Sequence, residues 1–585
     1  YNFDANKKHN FVKVTCTNMS LVYKFKSLFY DKEKQKLNRG IEFKGTYTQL
    51  YEIMIPPMLR FFHIQDISPS GWIELSNYDI VDDETRETTV GLEMTSSYED
   101  IISLPDKEVV VPYKICSFDI EASSSHGDFP NAIKNYKKVS YDILDYVQLN
   151  QDEVEEYGTH QLLYHLLKSV FGFANDIIID TCYPKNKKYT EAQFEKNFHS
   201  FINSNVSLND EDIVENSVNT LDTYMNVFEG GEDVNNAESS NIDICEDDEM
   251  SSIKRKKKEK TKTKPKKKVI SKDEITIISI IESNSYDNQS KMNYFTTSLN
   301  RAFPPLEGDY VTFIGSTFVT YGQEESHLNH CICLNKTTNV DEETQVIECY
   351  DNERDVLLAW TNLIQREDPD IIIGYNIFGF DYPFMFDRAC ENYCEDDFMN
   401  LSRKRDTYDE DDDVKLAQTK IVLASGAYDL KYPLMQGRLQ IDVFTYMRKE
   451  FILPSYKLDY VSSYLISDKV VSFENKEQTN RCEVVTRNIK GITLNCFVHF
   501  EINNHSSESY NNGEKFKVIG LTKNGFTIEG VLSENLREEN IQWGLAKDDV
   551  TPQDIFRMTN EGPDEKGVIA KYCICLLYTS DAADE

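Results

Sequence analysis

Asp119 and Glu121 stand two residues apart in Ser117-Phe118-Asp119-Ile120-Glu121, after the apolar run Val109-Val110-Val111 and Lys114-Ile115-Cys116. Side chains at i and i+2 of a strand leave the same face, so these carboxylates would lie side by side while Phe118 and Ile120 turn into the core. Carboxylates held together repel and raise each other's pKa unless a cation sits between them. Hard oxygen ligands of this kind suit Mg²⁺ or Mn²⁺. Taken alone, a D-x-E pair is more often two solvated acids on an edge strand.

A third carboxylate gives the pair more meaning. Glu353-x₃-Leu357-Leu358-x-Trp360-x₂-Leu363-Ile364 has helical spacing, and Asp368-Pro369-Asp370 breaks that helix. Ile371-Ile372-Ile373-Gly374-Tyr375-Asn376 reads as a buried strand leading into Ile377-Phe378-Gly379-Phe380-Asp381, with a helix opening at Tyr382-Pro383. An Asp at such a strand-to-helix junction can ligate a metal or cap the helix, and Pro383 suits the capping alternative. Asp119, Glu121 and Asp381 are expected to converge at the end of one sheet.

Of the 585 residues, 63 are basic and 99 acidic, a net charge of −36. Any DNA contact must therefore be local or metal-mediated. The thirteen cysteines show no paired C-x₂-C spacing, which favours buried free thiols over zinc or disulfides. No stretch has the length of a membrane span and no signal peptide is visible, so the chain is expected to be intracellular and not secreted. Residue 1 is Tyr within sequence of folded character, so the natural beginning is expected to lie upstream.

Residues 1–110 suggest a mixed α/β domain, with short apolar segments such as Phe11-Val12-Lys13-Val14 and a helix at 21–29. The apolar and aromatic stretch 51–63 is expected to be core rather than a binding surface. Ser123 to Pro130 has loop composition. An amphipathic helix carrying Leu162, Leu163, Leu166, Leu167 and Val170 is expected to be capped by Thr159. The chain is acidic from 205 to 250 and basic at 254–258 and 262–268, which marks 205–270 as a disordered charged insertion. Its basic block is compatible with DNA binding, nuclear import or a solvated tether, and no catalytic role is assigned to it. Strands at 310–319, 330–334 and 345–350 would join the Asp119 strand in an antiparallel sheet. A small β-rich insertion is expected at 470–542. Thr551-Pro552 would start a helix, Gly562-Pro563-Asp564-Glu565 would punctuate, and a second helix would cover 568–574.

Ser117-Phe118-Asp119-Ile120-Glu121, Asp368-Pro369-Asp370-Ile371-Ile372-Ile373-Gly374-Tyr375-Asn376-x₃-Phe380-Asp381, and Gly437-Arg438-Leu439-Gln440-Ile441-Asp442 with Ser455-Tyr456-Lys457-Leu458 resemble family B DNA polymerases. The likeness is to the delta-like enzymes of large nucleocytoplasmic DNA viruses and extends over residues 1–574. The first two stretches are similar to the motifs Exo I and Exo II of the proofreading exonuclease. The resemblance implies an RNase H-like (DnaQ-like) α/β exonuclease domain at 111–574, with insertions at about 131–305 and 470–542, preceded by a mixed α/β N-terminal domain at 1–110. It implies two-metal 3′–5′ hydrolysis with two divalent ions, Mg²⁺ or Mn²⁺. Asp119, Glu121 and Asp381 would be metal ligands and catalytic residues, with Tyr572 positioning the attacking water. Tyr375, Asn376 and Phe380 would hold the 3′ end. The implied partner is a DNA primer–template with a single-stranded 3′ end. A sliding clamp or other processivity factor is a further candidate, no membrane is involved, and the implied location is a viral replication site in host cytoplasm or nucleus.

The family's Exo III motif is Tyr-x₃-Asp, but four residues after Tyr572 this sequence has Leu576. Residues 575–585 resemble an in-frame translation of a sequencing adapter, so authentic sequence is expected to end at Ile574. No Ser-Leu-Tyr-Pro or Asp-Thr-Asp polymerase motif occurs. The resemblance therefore implies the N-terminal and exonuclease portion of a replicative polymerase, lacking the polymerase site and the Exo III Asp. The alternatives are a stand-alone DnaQ-like exonuclease and a catalytically dead nucleic-acid-binding module.

Overall fold

The computed structural model describes residues 10–584 apart from 32–35, 38–41, 54, 124–129, 175–178, 205–275, 284, 324–325, 339–344, 406–414, 424–425, 504–506, 539 and 547–551. Most of the loop expected before Pro130, the charged insertion 205–270 and Thr551 lie outside the described residues. Two compact units emerge, Tyr1–Arg86 with Val90–Val111 and Glu87–Thr89 with Pro112–Glu585.

In the first unit the strands are short antiparallel pairs, the longest being Trp72–Leu75 with Ile101–Leu104. Its helices are Met19–Leu28, capped by the Asn18 side chain, and Pro57–Gln65. Such short strands offer too small a sheet to cover an apolar layer. The core expected at 51–63 is accordingly not formed: no described residue of that stretch is buried, and Met58 and Leu59 are exposed. Phe11-Val12-Lys13-Val14 likewise joins no strand.

The second unit is organised by β1 (Lys114–Ser123), β2 (Tyr310–Thr320), β3 (Leu328–Leu334), β4 (Gln345–Tyr350), α1 (Glu353–Glu367), β5 (Ile371–Gly374), α2 (Asp381–Glu391), β6 (Leu439–Asp442), α3 (Val443–Glu450) and α4 (Leu458–Leu465). The strands form one sheet in the order β4-β3-β2-β1-β5-β6. β2 runs antiparallel to β1 and β3, whereas β5 is parallel to both β1 and β6. The antiparallel expectation needs correcting at β4, which lies parallel to β3 with Asn329 opposite Gln345. A tight hairpin cannot produce that pairing; the chain must run back along β3 first. Asn335 begins the return with a left-handed φ of 66°, and its N–H donates to Tyr350 O at 2.7 Å.

Phe118, Ile120 and Cys116 turn toward α1 and α2, with the Phe118 ring 4.8 Å from Trp360 and 5.2 Å from Tyr382. A helical insertion between β1 and β2 has its own core, including Leu163, Leu166, Phe194, Phe201 and Phe295. Within it Thr159 is the first helical residue rather than the cap; Gly158 precedes the helix, and the Thr159 hydroxyl donates to Glu282 at 2.6 Å. A residue already inside the helix does not occupy the cap position that precedes it. The insertion's root is tied down by Asn131 N–H donating to the Asp309 carboxylate at 2.8 Å.

Beside that root, Arg388 donates to both Glu353 oxygens and to Ala132 O at 2.9 Å, while Glu353 also accepts from Val311 N–H at 2.8 Å. Both charged side chains are buried. Arg388→Met is expected to destabilise by about 3–5 kcal/mol because it leaves the Glu353 charge uncompensated. Denaturant unfolding checks this, and Glu353→Gln in the same chain should recover part of the loss.

After α4, six strands close into an antiparallel barrel: β7 (Ser467–Lys476), β8 (Arg481–Thr486), β9 (Phe497–Asn503), β10 (Lys515–Thr522), β11 (Gly525–Glu529) and β12 (Ile541–Ala546). The ring runs β9-β10-β11-β8-β7-β12 and the β9–β12 pairing completes it. Val498, Phe500, Phe526 and Trp543 fill its interior. The chain then forms α5 (Pro552–Thr559) and α6 (Pro563–Asp584). α6 begins at Pro563 rather than at 568, because Gly562 ends the preceding turn and proline is well suited to the first helical turn. It covers the sheet face opposite α1 and α2, where Phe313, Cys331 and Cys333 meet Ile569, Tyr572 and Cys573.

Candidate active site

Alternation along β1 places Asp119 and Glu121 on the face away from Phe118 and Ile120, both half-buried. Asp381 arrives from the far end of β5. The close approach there requires glycine at 374, because a Cβ would lie 2.8 Å from Phe118 O and 2.5 Å from Ile377 Cγ2. Asp381 is the first residue of α2, yet its side chain does not cap that helix. Its Oδ1 instead accepts from Ile120 N–H at 3.2 Å, drawing the carboxylate onto β1 beside Asp119. Burial, then the Asp119 charge, pushes the Asp381 carboxyl well above its ordinary range. The structure thus brings Asp119 and Asp381 together, with Glu121 two residues along the same strand face.

Tyr572, on α6, is buried next to these acids. Burial, then Glu121 and other nearby groups including Asp119, raise its hydroxyl, so it stays protonated and can donate. Among the described residues no three His, Cys, Asp or Glu side chains stand close enough to hold one ion. α6 continues past Tyr572 through position 576, one turn on.

The loop between β5 and α2 carries the other candidates. Asn376 takes a left-handed φ of 64°, a conformation that asparagine tolerates better than most residues. Asn376 and Phe380 are half-buried at the loop's ends. Tyr375 is held differently: its hydroxyl donates to Tyr456 O at 2.5 Å and its ring lies edge-on to Phe444 at 5.6 Å.

Asp442 is a site residue that motif reading left without a role. At the end of β6, opposite Gly374, its buried carboxylate accepts from Asn376 N–H at 2.9 Å and Phe378 N–H at 3.0 Å. It also caps α3 by accepting from Thr445 N–H at 3.4 Å. Burial pushes it up to about 6, against the pull of those N–H groups. An acid closing a short strand directly before a helix was the available signal. Asp442→Asn puts an amide donor against half-buried backbone donors, so a loss of about 1–3 kcal/mol is expected in denaturant unfolding.

The motif residues further from the acids set strand register. Arg438 donates to Asp368 Oδ1 at 2.7 Å, Pro369 O at 2.6 Å and Leu401 O at 3.0 Å. Asp370 accepts Lys114 N–H at 2.9 Å, while its carbonyl accepts Leu439 N–H at 2.9 Å, aligning β1, β5 and β6.

A family model described as DNA polymerase family B, exonuclease domain, matches residues 48–211 and 245–461. The chain belongs to that family. Its mixed α/β sheet is the RNase H-like exonuclease fold of this family. The chain is 34% identical to a DNA polymerase of Phaeocystis pouchetii virus, over 98% of its own residues and 55% of the relative. To a DNA polymerase of Pyramimonas orientalis virus it is 30% identical, over 90% of its residues and 38% of the relative. A DNA polymerase delta catalytic subunit of Glycine max is 31% identical over 28% of this family B chain and 15% of the plant protein. The chain therefore spans about half, or less, of the length of these relatives. Among its described residues no helix is long and apolar enough to cross a membrane.

Proposed function

We propose that this chain is the N-terminal and 3′–5′ exonuclease portion of a replicative DNA-directed DNA polymerase of a large DNA virus. It would trim mispaired primer ends during viral DNA replication inside the infected cell. The supporting observation is the Asp119–Asp381 pair with Glu121 and Tyr572 alongside, in a family B exonuclease chain. Residues 1–110 would be the N-terminal domain and 111–574 the exonuclease domain, with 575–585 foreign to the natural protein.

The donor chemistry fits a hard divalent cation: the acids offer only carboxylate oxygens, and Asp381 resists ionisation until positive charge arrives. Asp119, Glu121 and Asp381 would hold two ions, Mg²⁺ or Mn²⁺; when bound, these supply Lewis acidity and a more acidic water. The remaining work belongs to the chain's own groups. Asn376 and Phe380 hold the frayed 3′ nucleotide, with Tyr375 bracing the loop beneath them. The Tyr572 hydroxyl donates to and orients the attacking water. A mispaired terminus reaches the site more readily because less pairing must be broken to expose it. A sliding clamp would act on the full-length protein.

Leucine at 576, where the family has aspartate, would favour a second reading only if 575–585 belongs to the natural protein: a nucleic-acid-binding module with a silent nuclease site. Release of 3′ nucleotides from matched and mismatched primers, with Mg²⁺ or EDTA, separates the two when Leu576→Asp is compared with the unaltered chain. Mg²⁺-dependent trimming that prefers mismatches supports the exonuclease. No release from either protein removes it.

A further inference from the structure

The barrel carries opposite charge at its two ends. One end is made by the start of β7, the β8–β9 connection and the β10–β11 turn. Their adjacency is fixed by Thr486 N–H donating to Asn524 O at 3.0 Å and Asn495 N–H donating to Val518 O at 2.8 Å, with Thr486 Oγ1 lying 3.2 Å from Lys469 O. This end gathers Lys469, Arg487, Lys490, Lys517 and Lys523. Four of these are exposed and Lys517 is half-buried; among the described residues none of the five forms an ion pair. Among the described residues the acid on the same end, Asp468, is already engaged, accepting from Thr486 Oγ1 at 2.8 Å, Arg487 N–H at 3.0 Å and Asn488 N–H at 2.8 Å. The opposite end carries Glu474, Glu477, Glu529 and Glu534, and there Lys476 pairs with Glu483.

Five unpaired cations on one end of an 80-residue barrel are unusual in a chain of net charge −36. Exposed charges further apart than about 8–10 Å are screened at physiological salt, so this end sets its own local potential. It is also the rooted end. Leu545 N–H donates to Ile466 O at 3.0 Å, and His499 lies 3.2 Å from Ser463 Oγ on α4. α4 in turn approaches the acid site through Asp459, whose charge acts on Tyr572. We propose that the basic end of the barrel binds the phosphate backbone of DNA, as a contact surface separate from the carboxylate site. It rests on reading the chain as a DNA-processing protein, but it needs no nuclease activity.

The test is binding of fluorescent single-stranded and primer–template DNA to the full chain in EDTA, by anisotropy, over a range of salt concentrations. The variant Arg487→Gln/Lys490→Gln/Lys523→Gln is expected to bind about 10-fold or more weakly near 0.1 M salt, with the log–log salt slope smaller by roughly 2–3. Whichever DNA form loses more affinity is the one bound there. These side chains are exposed, so the thermal midpoint should not move; if it does, the single variants Lys490→Gln and Lys523→Gln each carry a slope change of about 1. Arg481→Gln, on the opposite end, is the control and should change affinity less than 2-fold. An unchanged slope with both DNAs, or an equal loss in the control, overturns the proposal. Because cleavage is never read, its failure is distinct from failure of the exonuclease reading.

Discussion

Asp119→Ala/Glu121→Ala, made alongside Leu576→Asp, is expected to lower Mg²⁺-dependent trimming of a mismatched primer by about 10³-fold or more. Both side chains leave one face of β1, so the double change empties the central part of the acid cluster and leaves Asp381 alone with Tyr572. Removing two crowded, half-buried acids relieves repulsion rather than breaking packing, since Phe118 and Ile120 keep the strand seated on α1 and α2. The thermal midpoint in EDTA should therefore hold or rise. The stabilisation that Mg²⁺ or Mn²⁺ gives the parent should disappear, which a scan with and without the ion detects. Trimming at the parent rate by the double variant would sink the assignment of these residues. A midpoint that collapses instead would show that the acids hold structure, a role their mutual repulsion argues against.

The acids were legible in the sequence because period-two alternation and the strand-to-helix junction are local signals. Asp381 shows the limit of that reading. A cap and a site acid look alike in sequence, and what shows that Asp381 is not the cap is its contact with the backbone of residue 120. Asp442 was missed for a related reason: its value lies in holding Asn376 and Phe378 across more than sixty residues of chain. The parallel β3–β4 pairing was hidden because 335–344 gives no hairpin signal, and the bias toward antiparallel neighbours filled the gap. At 51–63 the composition was core-like, but burial needs an opposing layer, and composition does not supply one. The segments near 470–542 announced strands by alternation, yet closure depends on β9 meeting β12, some forty residues apart, which no window covers.

Leu576→Asp is expected to raise Mg²⁺-dependent 3′ trimming by about 10²–10³-fold, the range for supplying a positioned acid–base or electrostatic group. Position 576 lies four residues after Tyr572 in the helix that begins at Pro563, and residues four apart in an α-helix are neighbours. Tyr572 is already within the field of Glu121 and Asp119, so a carboxylate one turn on adds further negative charge that these two acids repel. That repulsion has a sign that can be tested without turnover. In EDTA the Leu576→Asp chain should unfold at a lower temperature than the parent. Saturating Mn²⁺ should stabilise it more than it stabilises the parent, since an ion at about 100 times its Kd adds roughly 2.7 kcal/mol. Leu576→Asn removes the same apolar side chain without adding charge; it should show neither the metal-dependent stabilisation nor the gain in rate. Equal gains from Asp and Asn would mean that losing leucine, not gaining a carboxylate, matters. If Asp brings ion-dependent stabilisation but no trimming, the cluster is a metal site without the nuclease geometry, and the silent-module reading takes its place.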